Sequence, residues 1–216
     1  AAGILNEPVV NNSPVSLWID KSTATNNATQ TTAINQPIWL SPTPSVDFDF
    51  TTNSQFLEMD GLVSDLATTT TGTWCGWFRF VDATPTTQMG LWTFGDTDVS
   101  SYIYCYLDPS GILIFTFKSR IDASTQWQLT TTNPITTDNT WVHIAAIQDG
   151  VSPVIKINNV VVAQTFSVTN DKTTWFANDL DIDNGRIGII SVSNVDVLPL
   201  IGEVQQGQIY DSNLST

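Results

Sequence analysis

Residues 139–162 limit the folds open to this chain more than any other stretch. Trp141-Val-His-Ile-Ala-Ala-Ile147 and Val154-Ile-Lys-Ile157 are apolar, β-branched runs on either side of Asp149-Gly150. Asn158-Asn159 then separates the second run from Val160-Val-Val162. Asp-Gly and Asn-Asn tolerate the positive φ that tight hairpin turns require. The stretch therefore reads strand, turn, strand, tight turn, strand, which makes an antiparallel meander.

The same two-residue alternation recurs along the chain. Strands are expected at 17–20, 46–50, 56–60, 72–81, 89–94, 102–107, 112–117, 126–132, 186–192 and 200–210, with Asp108-Pro-Ser-Gly111 as a turn. In 72–81, Trp74, Gly76, Phe78 and Phe80 share one face, and Cys75, Trp77, Arg79 and Val81 the other. Roughly twelve to fourteen short strands, with no helical period, point to an all-β fold. A two-sheet antiparallel β-sandwich of jelly-roll type follows. Pattern alone leaves a closed barrel open, whereas a propeller would show repeating blades that are absent here. The 216 residues suit one domain. It is expected over 17–216, after an extended lead-in at 1–16.

Charge excludes one class of partner. Seven basic residues against 21 acidic ones give a net charge of −14, which repels a phosphate backbone, so nucleic acid is not expected. No apolar run approaches the ~18 residues of a membrane helix, so no membrane insertion is expected. No signal peptide is visible. The chain begins Ala1-Ala2-Gly3 without Met, as expected of a processed or trimmed protein or one that has lost its initiator Met. Cys75 and Cys105 fall on expected strands and read either as two buried thiols or as one cross-strand bridge.

Catalysis finds little to work with. The three Glu are Glu7, Glu58 and Glu203, far apart in sequence, so the paired carboxylates of a retaining glycosidase are not supplied by one strand. His143 is the single histidine and lies inside the Trp141 strand, so it reads as structural. Sugar binding needs an exposed aromatic ring with hydrogen-bonding neighbours. Trp74, Phe78, Phe80, Trp92, Phe94 and Trp141 sit on strongly patterned strands and are expected in the core. Trp127 and Trp175 have polar sequence neighbours and are the platform candidates. Tyr102, Tyr104 and Tyr106 alternate on one strand and could form a ladder, or pack against the neighbouring sheet. Ca²⁺ takes six to eight oxygens. Two Asp-rich runs offer them: Asp96 with Asp98, and Asp179, Asp181 and Asp183. The second run is no EF-hand, since Gly185 is a position late and Ile190 stands where the bidentate Glu belongs. It also reads as an edge strand with its Asp side chains in water.

Several of these segments together resemble one family. The segment Leu17-Trp-Ile-Asp-Lys-Ser22 with Asn27-Ala-Thr-Gln30 is similar to the opening of bacterial and phage laminin-G-like, concanavalin A-like jelly rolls, without that opening's Gly. Val46-Asp-Phe-Asp-Phe50 with Gln55-Phe-Leu-Glu58, the strand 73–80, Leu91-Trp-Thr-Phe-Gly-Asp96, Tyr106-Leu-Asp-Pro-Ser-Gly111 and the Trp141-Val-His-Ile-Ala block follow in the family's order. Ile201-Gly-Glu-Val204 and Gln208-Ile-Tyr-Asp-Ser-Asn-Leu-Ser215 resemble its closing strand. The resemblance implies a concanavalin A-like sandwich and, in most members, recognition rather than catalysis. It also implies a rim where Ca²⁺ is often held. The expectation is therefore a non-catalytic, lectin-like module for glycans or another surface ligand, with or without Ca²⁺, outside the cell. The alternative is a structural or decoration module of a virion, phage tail or surface layer. Glycoside hydrolysis comes third.

Overall fold

The computed structural model of the chain describes residues 11–49, 54–98, 101–118, 124–179 and 181–214. Its strands are short at the N-terminal side: β1 Ser13–Pro14, β2 Leu17–Trp18, β3 Ala28–Thr29, β4 Ile38–Leu40, β5 Ser45–Phe48 and β6 Leu57–Glu58. A short helix, α1 Gly61–Leu66, leads to the longer strands β7 Gly72–Phe80, β8 Met89–Gly95, β9 Tyr102–Leu107, β10 Leu113–Lys118, β11 Thr125–Thr131 and β12 Trp141–Gln148. Then come β13 Val154–Ile157, β14 Val160–Val161, β15 Gln164–Thr169, β16 Asn184–Ile187, β17 Ile190–Val192, β18 Val195–Val197 and β19 Gly202–Tyr210.

Two large antiparallel sheets form a sandwich. One runs β1-β4-β5-β19-β7-β12-β13-β14 and the other β15-β11-β10-β9-β8-β16-β6-β3-β2, while β17 and β18 make a separate hairpin. The meander of residues 139–162 is β12-β13-β14, with β12 also paired to β7. Strand alternation decides what lies between the sheets. Trp74, Phe78 and Phe80 of β7 face Trp92 and Phe94 of β8 and Phe115 and Phe117 of β10, and all are buried. Trp74 alone lies within 6.1 Å of the rings of Trp92, Phe94, Phe115, Trp175 and Phe176, so large rings fill the inter-sheet space.

Cys75 lies in the eight-stranded sheet and Cys105 in the nine-stranded one, and both are buried free thiols. The bridged alternative does not occur. Residues 1–10 of the expected lead-in lie outside the described residues. Its end is built into the fold: β1 pairs with β4, and Val15 is buried. The alternation-based reading had no signal for α1, a single turn and a half, or for β15, whose alternation carries mostly polar residues.

Candidate functional site

Ile103, Cys105 and Leu107 of β9 are fully buried between the sheets, so Tyr102, Tyr104 and Tyr106 point away from the core. The three tyrosines form a continuous row on the outer face of the nine-stranded sheet. Tyr102 and Tyr104 stack with ring centroids 4.4 Å apart and planes 25° apart; Tyr104 and Tyr106 lie 5.4 Å apart at 60°. Tyr102 and Tyr104 are half-buried and Tyr106 is buried. Burial, then the neighbouring Tyr102, pushes the Tyr104 phenol far above its ordinary pKa. Burial, then Asp108, raises Tyr106 as well. Both phenols therefore stay neutral and keep a hydroxyl that donates and accepts.

The row has two different sides. On the β10 side, register places Lys118 beside Tyr102 and Thr116 beside Tyr104, with Gln128 of β11 next to Thr116. The Lys118 ammonium sits 5.7 Å from the Tyr102 ring centre. On the β8 side, Gly95 and Gly90 stand opposite Tyr102 and Tyr106, and the β17–β18 hairpin packs down on them. A Cβ on Gly90 would come within 2.5 Å of Ile190, and one on Gly95 within 2.6 Å of the Ser191 carbonyl. Only glycine lets the hairpin approach so closely. Ile190, Val192 and Leu198 then pack in one apolar cluster with Tyr104, Tyr106 and Ile114. The tyrosine row is thus a floor with a wall along one side.

At the Tyr102 end the two Asp-rich runs, remote in sequence, meet. The Asp183 N–H donates to the Gly95 carbonyl at 2.9 Å. The Thr97 N–H and hydroxyl both donate to the Asp183 carboxylate, at 3.0 and 2.6 Å. The Asp98 N–H donates to Asp96 Oδ1 at 2.6 Å, and the Asp181 N–H to Asp179 Oδ1 at 3.3 Å. The Ser101 hydroxyl, adjacent to Tyr102, donates to the Asp179 carboxylate and to the Lys118 carbonyl. Asp98, Asp181 and Asp183 are exposed, whereas Asp96 and Asp179 are each only 3% exposed. The edge-strand reading therefore fails at Asp179, and the strand itself, β16, starts only at Asn184. Among the described residues no three acidic, histidine or cysteine side chains converge on one metal position. Asn184 Oδ1, beside this corner, is a buried acceptor without a donor.

Trp127 and Trp175 require a correction. Both are 0% exposed. Trp127 packs 4.7 Å from Phe115 and 6.5 Å from Trp175, and its Nε1–H donates to the Thr174 carbonyl at 3.1 Å. Neither ring can meet a sugar. Both lie in the aromatic core between the two sheets. The polar neighbours misled because Gln126 and Gln128 flank Trp127 on a strand, where adjacent side chains face opposite ways.

Trp141, expected in the core, is half-buried on the outer face of the eight-stranded sheet. Trp77, beside it on that face, keeps 37% of its surface. The signal was present in the sequence: Trp77 alternates with core Phe78 and shares its face with Arg79, which is ion-paired to Glu203. The His143 ring lies 5.3 Å from Trp77 at 65°. Burial holds the His143 imidazole below its ordinary pKa. The unfolded chain therefore takes up this proton at higher pH than the folded chain. The stability due to neutral His143 is complete above about pH 6.5 and is lost as pH falls through the lower folded value. The melting-temperature advantage of the native chain over His143→Gln is thus expected to shrink between pH 7.5 and pH 5, as read by thermal melts across that range. An advantage that stays constant over it contradicts the assignment.

No protein-family model matches the chain, and no curated protein sequence does. Solved structures do match. The Ruminococcus gnavus IT-sialidase CBM40 superposes with a TM-score of 0.65 at 12% identity, covering 79% of this chain and 91% of that one. A NanB sialidase from Streptococcus pneumoniae gives 0.65 at 12% identity over 79% of this chain and 26% of its own. The leech intramolecular trans-sialidase gives 0.64 at 16% identity, with coverages of 79% and 26%. At such identities the likeness is one of fold: a β-sandwich, matching about a quarter of the two longer chains.

Proposed function

We propose that this chain is a non-catalytic glycan-binding module, and that the Tyr102–Tyr104–Tyr106 row is its sugar platform. The observation that carries the proposal is the outward, half-buried Tyr102–Tyr104 stack, continued by Tyr106 beneath the β17–β18 hairpin and bordered by Lys118 and Gln128. Aromatic faces take the C–H faces of sugar rings, and neutral hydroxyls and amides take their hydroxyl groups. The fold neighbours support the reading, since the R. gnavus CBM40 has been solved bound to α2,3 and α2,6 sialyllactose. The resemblance to laminin-G-like, concanavalin A-like modules belongs to the same proposal, as does a place outside the cell, on a cell surface or on a virion. Among the described residues no helix is long and apolar enough to cross a membrane.

For the third reading, glycoside hydrolysis, the two described Glu do not supply a pair. Glu58 is on the nine-stranded sheet, while Glu203 is on the eight-stranded one and paired with Arg79. A retaining pair needs carboxylates about 5 Å apart. A glycan array probed with the native chain, with and without Ca²⁺, tests the proposal; a blank array in both conditions overturns it.

The proposal extends to Ca²⁺ at the Asp96–Asp183 corner, where the nearby donors are oxygens and Asn184 Oδ1 lacks a partner. Adding Ca²⁺ at about 100 times its Kd should stabilise the chain by about 2.7 kcal/mol. That raises Tm by about 5–10 °C, and EDTA reverses it. An unchanged Tm with no heat of titration removes Ca²⁺ and leaves the tyrosine row untouched.

One further observation favours the second reading, a structural or decoration module. Trp77 shares its face with Val81, 50% exposed, and Ile201, 36% exposed, which join through the Val81 N–H to Ile201 carbonyl bond. This patch suits contact with another protein surface. Gel filtration and electron microscopy decide: a symmetric assembly dispersed by Trp77→Ser, without glycan affinity, supports that reading over the first.

A further inference from the structure

A cavity opens between the two sheets at the edge formed by β2, away from the tyrosine row. Its interior is walled by the buried side chains of Met59, Trp74, Phe78 and Trp92. The lining residues that keep contact with solvent include Trp18, Asp20, Ser22 and Asn26, which form the mouth. β19 bulges beside the cavity: Gln205 pairs with Trp77 but Gln208 pairs with Cys75, so Gln206 and Gly207 together stand opposite Gly76, one residue in excess. Gly207 lies on the cavity wall, and a Cβ on it would meet only Ile187 at 3.5 Å and Trp18 at 3.7 Å. Both are ordinary van der Waals contacts, so position 207 has room for a Cβ at the cavity wall.

Volume and chemistry together define an occupant. The cavity holds about 130 Å³, close to the ~150 Å³ apolar cavities that take up benzene. The indole N–H groups of Trp74 and Trp92 are buried without an acceptor. The interior wall of Met59, Phe78 and the two indoles offers a sugar's many hydroxyls little to bond, and stripping those hydroxyls of water would be costly. An apolar ring meets no such penalty. The mouth is different. The Asp20 carboxylate accepts the Ser22 N–H at 2.7 Å, the Ser22 hydroxyl at 2.6 Å and the Asn26 N–H at 2.8 Å. Burial works against its charge, but these bonds outweigh burial and hold its pKa below the ordinary value. The mouth is thus anionic.

We propose that this cavity is a second ligand site, for a small molecule with one apolar ring and a hydroxyl or amine head. The ring enters among Trp74, Phe78 and Trp92, and the head stays at the mouth beside Asp20. An anionic head is rejected by the carboxylate.

Benzylamine, benzyl alcohol and benzoate are suitable probes. They are titrated into the native chain by tryptophan fluorescence and by ligand-observed NMR, since three tryptophans line the cavity. Benzylamine and benzyl alcohol should bind saturably, and benzoate about fivefold more weakly or worse, the effect of roughly 1 kcal/mol of charge repulsion. Gly207→Leu, which fills the cavity, should abolish binding of all three, and Asp20→Asn should bring benzoate level with benzylamine. Tyr104→Ala should change none of this, which separates the cavity from the glycan site. Absence of saturable binding by any probe to the native chain overturns the proposal. So does undiminished binding to a folded Gly207→Leu chain, or benzoate binding as well as benzylamine to the native chain.

Discussion

Trp127→Ala is expected to lower stability by about 3–5 kcal/mol, the largest effect of any single change considered for this chain. For a domain of this size that is a fall in Tm of about 6–20 °C. The cost has two parts. The ring is fully buried against Phe115 and Trp175, so its removal leaves a cavity in the centre of the aromatic core. Its Nε1–H bond to the Thr174 carbonyl is lost. That carbonyl keeps one donor, the Gln148 amide at 3.0 Å, so it is not left bare. Trp175→Ala should cost a similar amount, for it touches Trp74 and Phe176 at 5.4 Å each. Trp175→Phe should be milder than Trp127→Phe, because the Trp175 Nε1–H has no acceptor to lose. Thermal or urea melts of the four variants check this. A Trp127→Ala chain as stable as the native one would return Trp127 to the surface and undo the burial described above.

Tyr104→Ala is expected to weaken glycan binding by about tenfold or more, consistent with the ~2 kcal/mol typical of a central aromatic contact. Tyr104 is the middle ring, contacting Tyr102 at 4.4 Å and Tyr106 at 5.4 Å, so its removal breaks the platform into two separate rings. The fold should survive. Tyr104 is half-buried on an outer face, and the lost ring contacts are worth about 0.5–1.5 kcal/mol each. Trp77→Ala, on the opposite sheet, should leave glycan affinity unchanged. A Tyr104→Phe variant separates the ring from its hydroxyl: retained affinity assigns the contact to stacking, and lost affinity to hydrogen bonding.

Alternation carried most of the fold. The Trp141 meander, the outward tyrosines and the core rings of β7 and β8 all follow from side chains that change face at every residue. The same rule, applied consistently, would have placed Trp127 inside because its flanking glutamines point out, and Trp141 outside because Val142 and Ile144 point in. The polarity of its sequence neighbours misplaces Trp127, and its position on a strongly patterned strand misplaces Trp141, whereas the polarity of their own faces does neither. Trp175 carried no such signal. It precedes a single 3₁₀ turn, Phe176–Asn178, and is buried by long-range packing. The meeting of the two Asp-rich runs was likewise invisible, since it depends on β8 and β16 being neighbours. Nor could spacing reveal the cavity, which lies beside a one-residue bulge whose partner strand lies about 130 residues away.

The most direct measurement is a calorimetric titration of the strongest array glycan into three chains: native, Tyr104→Ala and Trp77→Ala. The expected result is saturable binding by the native chain and Trp77→Ala, with affinity lost or reduced about tenfold or more in a Tyr104→Ala chain that still melts cooperatively. Full affinity in folded Tyr104→Ala, or loss of affinity in Trp77→Ala alone, would contradict the tyrosine platform and move the site to the other sheet.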